Sequence, residues 1–89
     1  MSETSDSFTL PFKAPDWYTR LIAEHQETEG RLTKLKAYLA TNPTHIGDTQ
    51  LALLKQQEKV MQEYANILYK RLAIAQRDLQ AEHEKKESL

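Results

Sequence analysis

At 89 residues, with no cysteine and a net charge of -1, the chain can build one small core and has no covalent brace for it. Twelve basic against thirteen acidic residues exclude a surface for DNA or RNA polymers built on phosphate contacts, and the lack of thiols excludes disulfides and thiolate metal sites. Association between copies is then the expected source of stability, and a small anionic ligand held by a few local cations stays open.

Residues 1–14 contain Ser, Thr, Pro11 and the isolated Phe8 and Phe12, which predicts a flexible arm whose two rings dock on the body of the protein. The acidic start leads into no long apolar run, so neither a signal peptide nor a membrane anchor is expected. Pro15 and Asp16 open a first helix, with Asp16 as its N-cap, and the helix should reach about Thr41. Asn42 and Pro43 stop it, because the residue before a proline is pushed away from helical geometry, and Gly47 adds a second break. Asp48 caps a second helix that runs without Gly or Pro to at least Leu79. Residues 81–89 form a charged tail expected to fray, which leaves 15–80 as the helical domain for oligomerisation and ligand binding.

In the first helix Trp17, Leu21, His25, Thr28, Leu32, Leu35 and Leu39 form a seam with a polar middle. Gly30 lies beside it and costs about 1 kcal/mol relative to Ala in a helix interior. Two readings offset that cost: a close helix approach or bend, with His25 and Thr28 fixing register, or a small polar stretch lining a ligand cavity between subunits. In the second helix Leu53, Val60, Ile67 and Ile74 form one heptad row, and Leu54, Met61, Leu68 and Ala75 form the next. Leu51, Ala65, Leu72 and Leu79 widen the apolar arc to roughly 160°, against ~100° for a helix packed on one side. One partner helix cannot cover that arc. The expected fold is all-α: two long antiparallel helices in a hairpin, the first with a bend allowed at Gly30, assembling into a homo-oligomeric helical bundle.

Catalytic chemistry has little to work with. The chain has no Gly-rich phosphate loop, no paired histidines at metal spacing and no nucleophile with an evident base. His25 near Glu24 and Glu29 is one ligand where zinc needs three or four, so no metal and no cofactor are expected. His45 and His83 fall in the loop and the tail and read as solvated, as does the Lys85, Lys86 pair among glutamates. The remaining candidates are aromatic and cationic: Trp17, Tyr18, Arg31 and Lys34 on the first helix, Tyr64 and Arg71 on one row of the second. Such residues complete a core and lay aliphatic stems along it. They are also what a nucleotide needs, a flat face for the base and a charge for the phosphate.

Three stretches carry a resemblance. They are residues 17–24, opening with Trp17 and Tyr18; residues 31–39, with Arg31, Lys34, Leu35, Tyr38 and Leu39; and the second-helix set Leu53, Leu54, Gln57, Met61, Tyr64, Ile67, Leu68, Arg71 and Leu72. Over about residues 16–75 the chain resembles the phage anti-CBASS type 2 proteins, small helical sponges for cyclic oligonucleotide signals. The resemblance implies a homohexamer in the host bacterial cytoplasm that binds cyclic dinucleotides in pockets shared by two subunits, and cyclic trinucleotides at separate sites, without cleaving them. It implies bases stacked on Tyr18 or Trp17, phosphates met by Lys34 and then Arg31, and a second site at Tyr64 and Arg71; Thr28, a ligand candidate from the polar stretch of the seam, departs with Gly30 from the apolar or strong helix-forming residues that the resemblance implies there. Tyr18 and Lys34 lie sixteen residues apart. That is about 24 Å on one helix, so they must reach one ligand from different chains. An adaptor that covers a host protein and a purely structural coiled-coil subunit are the rival readings.

Overall fold

The computed structural model describes residues 8–87, and expectations that fall on 1–7 and 88–89 lie outside them. Two helices, α1 (Asp16–Ala40) and α2 (Asp48–Glu87), form an antiparallel hairpin about 63 Å long. Its core is a 3-4 seam of Tyr18, Leu21, His25, Thr28 and Leu32 from α1, set against Ala65, Leu68 and Leu72 of α2. The seam corrects the expected start of the first helix. Tyr18 takes the interior position and Trp17 stands half-exposed outside it, because the strict 3-4 alternation of Leu21, His25, Thr28 and Leu32 runs back to residue 18.

The helix ends differ from expectation in detail. Pro15 occupies the N-cap of α1 without a side-chain bond, and Asp16 is the first helical residue, where its charge favours the helix N-terminus. At the other end Thr41 caps the helix, and Asn42 N–H bonds the Leu39 carbonyl at 3.1 Å with Asn42 in the left-handed region at φ 53°. Asparagine tolerates that geometry. Gly47, at φ 85°, takes the capping place expected of Asp48, its carbonyl accepting the Leu51 N–H at 3.1 Å, and Asp48 is the first residue of α2.

Residues 8–14 are packed rather than loose. Phe8 is buried against the edges of His25 and Tyr69, with ring centroids 6.2 and 5.5 Å away, and its carbonyl accepts the Tyr18 hydroxyl at 2.8 Å. Phe12 stacks on His83 at 4.1 Å. That stack lies on the stretch expected to fray, and α2 stays helical there to Glu87, with Lys85 and Lys86 in a last turn that favours cations. The arm therefore seals one flank of the hairpin. Among the described residues, nothing seals the other.

α1 runs unbroken through Gly30, and a Cβ built there would meet nothing within 4 Å. Packing within the hairpin therefore gives no reason for the glycine. Gly30→Ala is expected to stabilise the folded chain by roughly 0.8 to 1 kcal/mol in urea unfolding, through helix propensity alone. Loss of that gain, or weaker assembly, would show that a second copy lies against the bare backbone.

Candidate functional site

The functional face follows from helix register. Around α2, the row Gln57, Tyr64, Arg71 and Asp78 borders the core on the open flank, and the row Leu53, Val60, Ile67 and Ile74 lies one step further out. The four aliphatics of that outer row are between 51 and 55% exposed. Each is a large apolar group left half in water, so the surplus of the second helix is real in the single chain. On α1 the matching row is Trp17, Glu24, Arg31 and Tyr38, spaced by heptads. Tyr64 ties the two rows together, its hydroxyl donating to Glu24 Oε2 at 2.9 Å.

That bond sets the chemistry of Tyr64. The Glu24 carboxylate accepts its proton and holds the phenol above its ordinary range; partial burial and the Glu24 charge add to the effect, and Arg71 opposes it. Tyr64 thus stays neutral. Its ring edge and face remain available while its donor is committed. Next along the flank, Trp17, Leu21, Arg71, Ile74, Ala75 and Asp78 line a cleft of about 310 Å³. It sets a half-exposed indole beside a guanidinium that makes no ion pair among the described residues, while Asp78 is paired with Arg77 at 3.3 Å. Its volume is at the low edge of small-molecule sites, which run from about 300 to 1,000 Å³.

The predicted ligand residues divide between this face and the interior. Trp17, Arg31, Tyr64 and Arg71 share the open flank by register or contact, and Lys34 is exposed one step beyond Arg31. Arg31 pairs with Glu27 at 3.8 Å, both exposed, a contact worth a few tenths of a kcal/mol. Tyr18 and Thr28 are in the seam instead. Burial pushes the Tyr18 phenol up, and with its hydroxyl on the Phe8 carbonyl its ring is closed to a base in this chain. Trp17, beside it, keeps its indole half-exposed.

A larger cleft, of about 820 Å³, lies at the arm's turn, between Phe12, Lys13, Trp17, Glu82, His83 and Lys86. Asp16 and Glu82 balance Lys13 and Lys86 there, so it carries no preference for an anion. His25 is buried, with Nε2 3.6 Å from Glu29 Oε1, too far for a hydrogen bond, and fills an aromatic slot between Phe8 and Tyr69. No group of three or more His, Cys, Asp or Glu among the described residues could hold a metal ion. No helix among them is long and apolar enough to cross a membrane.

A helical hairpin whose described residues leave one flank open, apolar and aromatic offers a surface for binding. A family model, Sequestin, matches residues 15–74, well over half of the chain. The chain belongs to the Sequestin family, the phage anti-CBASS sponges that bind cyclic oligonucleotides without hydrolysing them. No curated protein and no solved structure matches the chain. The matched stretch runs from Pro15, just before α1, to Ile74, the last aliphatic of the open row.

Proposed function

We propose that this chain is a phage anti-defence sponge. It assembles as a homo-oligomer, hexameric as the resemblance implies, and sequesters cyclic dinucleotides, and cyclic trinucleotides as larger ligands, so that CBASS effectors in the host cytoplasm are never activated. The family match over residues 15–74 carries this reading. The open flank supports it, because a half-exposed Trp17 beside Arg71, which makes no ion pair among the described residues, offers a flat face and a charge to a nucleotide, and a second copy would cover the exposed aliphatic row.

In this reading a base of the dinucleotide stacks on Trp17 and its phosphate meets Lys34, with Arg31 in support, from a neighbouring subunit. Trp17 and Lys34 are seventeen residues apart on one helix, about 25 Å, so one copy cannot bring both to one small ligand. Tyr64 and Arg71 engage the larger trinucleotide. Tyr18 and Thr28 hold the seam behind the site.

Titration calorimetry with a panel of cyclic di- and trinucleotides tests the proposal. Saturable binding is expected, with fewer than one dinucleotide per chain, and the ligand should be recovered intact after prolonged incubation with or without divalent metal. Linear products would mean a missed active site. No uptake of any cyclic nucleotide would leave the open flank to a host protein, as in an adaptor.

A further inference from the structure

We infer that Glu24 selects the bases of the bound nucleotide: its carboxylate accepts the exocyclic amine of a base laid on Tyr64, so the site prefers amino-bearing purines to their amine-free analogues. This rests on the sponge reading above and names which bases its Tyr64 and Arg71 site takes.

Register arranges the open flank in rungs. Glu24 and Tyr64 are joined between the helices by the 2.9 Å bond, and Trp17 and Arg71, seven residues back along α1 and seven on along α2, line one cleft. At about 1.5 Å per residue the two rungs lie about 10.5 Å apart. The Trp17 and Arg71 rung offers a cation to a phosphate, whereas the Glu24 and Tyr64 rung sets a carboxylate there, which turns phosphates away. A nucleotide with its phosphate on Arg71 carries its base across a ribose toward the next rung. The half-exposed Tyr64 ring meets it there with a flat face.

Hydrogen-bond polarity decides which base edge fits. The Tyr64 proton is spent on Glu24 Oε2, so the hydroxyl keeps only lone pairs for a ligand, and a carboxylate donates nothing. The rung therefore presents acceptors alone. Glu24 Oε1 holds no hydrogen bond and Glu24 no ion pair among the described residues, which leaves that oxygen to the ligand. Adenine and guanine each carry an exocyclic amine that donates, while an edge bearing an acceptor in its place would set acceptor against acceptor. The carboxylate does not repel the ligand as a whole. Arg31 is paired with Glu27 and Asp78 with Arg77, Glu63 stands across the aliphatic row from Tyr64, and Arg20 and Arg71 outnumber Glu24 along the flank. Glu24 thus orients an anion that its neighbours attract.

The test pairs each ligand with an analogue that lacks the amine alone. Full-length protein is titrated with cyclic trinucleotides of adenosine and of guanosine, and with the same rings in which purine riboside replaces adenosine and inosine replaces guanosine. The amine-free member of each pair should bind about tenfold more weakly, as expected for one hydrogen bond to a charged group. Glu24→Gln keeps an acceptor for the Tyr64 hydroxyl and removes the charge. It should abolish or reverse the preference, with the amine-free rings bound at least as tightly as by the unaltered protein, because a charge that faced the phosphates is gone. A merely structural role for Glu24 would instead weaken both members of a pair alike, and that result overturns the inference. Equal affinity within each pair in the unaltered protein overturns it too. Rings that bind without regard to the amine discard only the role of Glu24, whereas failure to bind any cyclic di- or trinucleotide discards the sponge reading with it.

Discussion

Ile67→Asp is expected to dissociate the assembly into folded hairpins. Ile67 is 54% exposed in the single chain, so an aspartate there meets water and costs the hairpin little. In the assembly the same carboxylate would leave water for an aliphatic seam, and Lys70 and Arg71, one turn on, offset only part of that, which leaves a cost of about 2 to 3 kcal/mol per site. At 1.4 kcal/mol per tenfold, association weakens by roughly thirty- to a hundredfold per buried copy. Sedimentation velocity should show the loss of the oligomer at micromolar concentration, with the helical circular dichroism retained. Leu72→Asp is the contrast. Leu72 is fully buried between α1 and α2, so the charge would unfold the chain itself. If Ile67→Asp left the oligomer intact, the open row would not be its interface.

That separation was legible from the heptad rows, because two adjacent apolar rows on one helix cannot both face one partner. Which row turned inward was not. The inner rows continue as Leu54, Met61, Leu68 and Ala75 with Ala65 and Leu72, and small alanines let α1 approach closely; the outer row holds three β-branched residues that suit a helix–helix seam. The Trp17 and Tyr18 reversal has a similar origin. Trp17 and Tyr18 lie four and three residues before Leu21, both of them seam spacings, and only the continued 3-4 alternation of Leu21, His25, Thr28 and Leu32 selects residue 18. The packed arm left a weaker trace, since Phe8 and Phe12 announce docking but not its place. Tyr18 and His83 receive them only because the hairpin brings residues 8, 18, 25 and 69 together at one level and 12 and 83 at another. Such contacts are set by tertiary packing and leave no local spacing to read.

The ligand site brings the second large effect, and Trp17→Ala is expected to remove most cyclic dinucleotide affinity while leaving the fold and the assembly in place. Trp17 lies outside the seam and half in water, so its loss opens no core cavity. Stacking is worth about 1 to 3 kcal/mol per base, and a symmetric site uses the residue twice, so about 2 to 6 kcal/mol is lost. That is an affinity drop of between roughly thirtyfold and tens of thousands of fold. Lys34→Ala should cost a similar amount, because a charged hydrogen bond to phosphate is worth about 1.5 to 3 kcal/mol and is also made twice. Tyr18→Phe is the discriminating control. It removes the buried bond to the Phe8 carbonyl and leaves the ring in the seam, so it should lower stability slightly and leave ligand affinity unchanged. Arg71→Ala separates the two ligand sizes, with trinucleotide affinity falling and dinucleotide affinity changing less. An equal loss for both would mean that the cleft shared by Trp17 and Arg71 is a single site. Full dinucleotide affinity in Trp17→Ala, with the oligomer intact by sedimentation, would move the base to another surface and return the indole to a packing role between subunits.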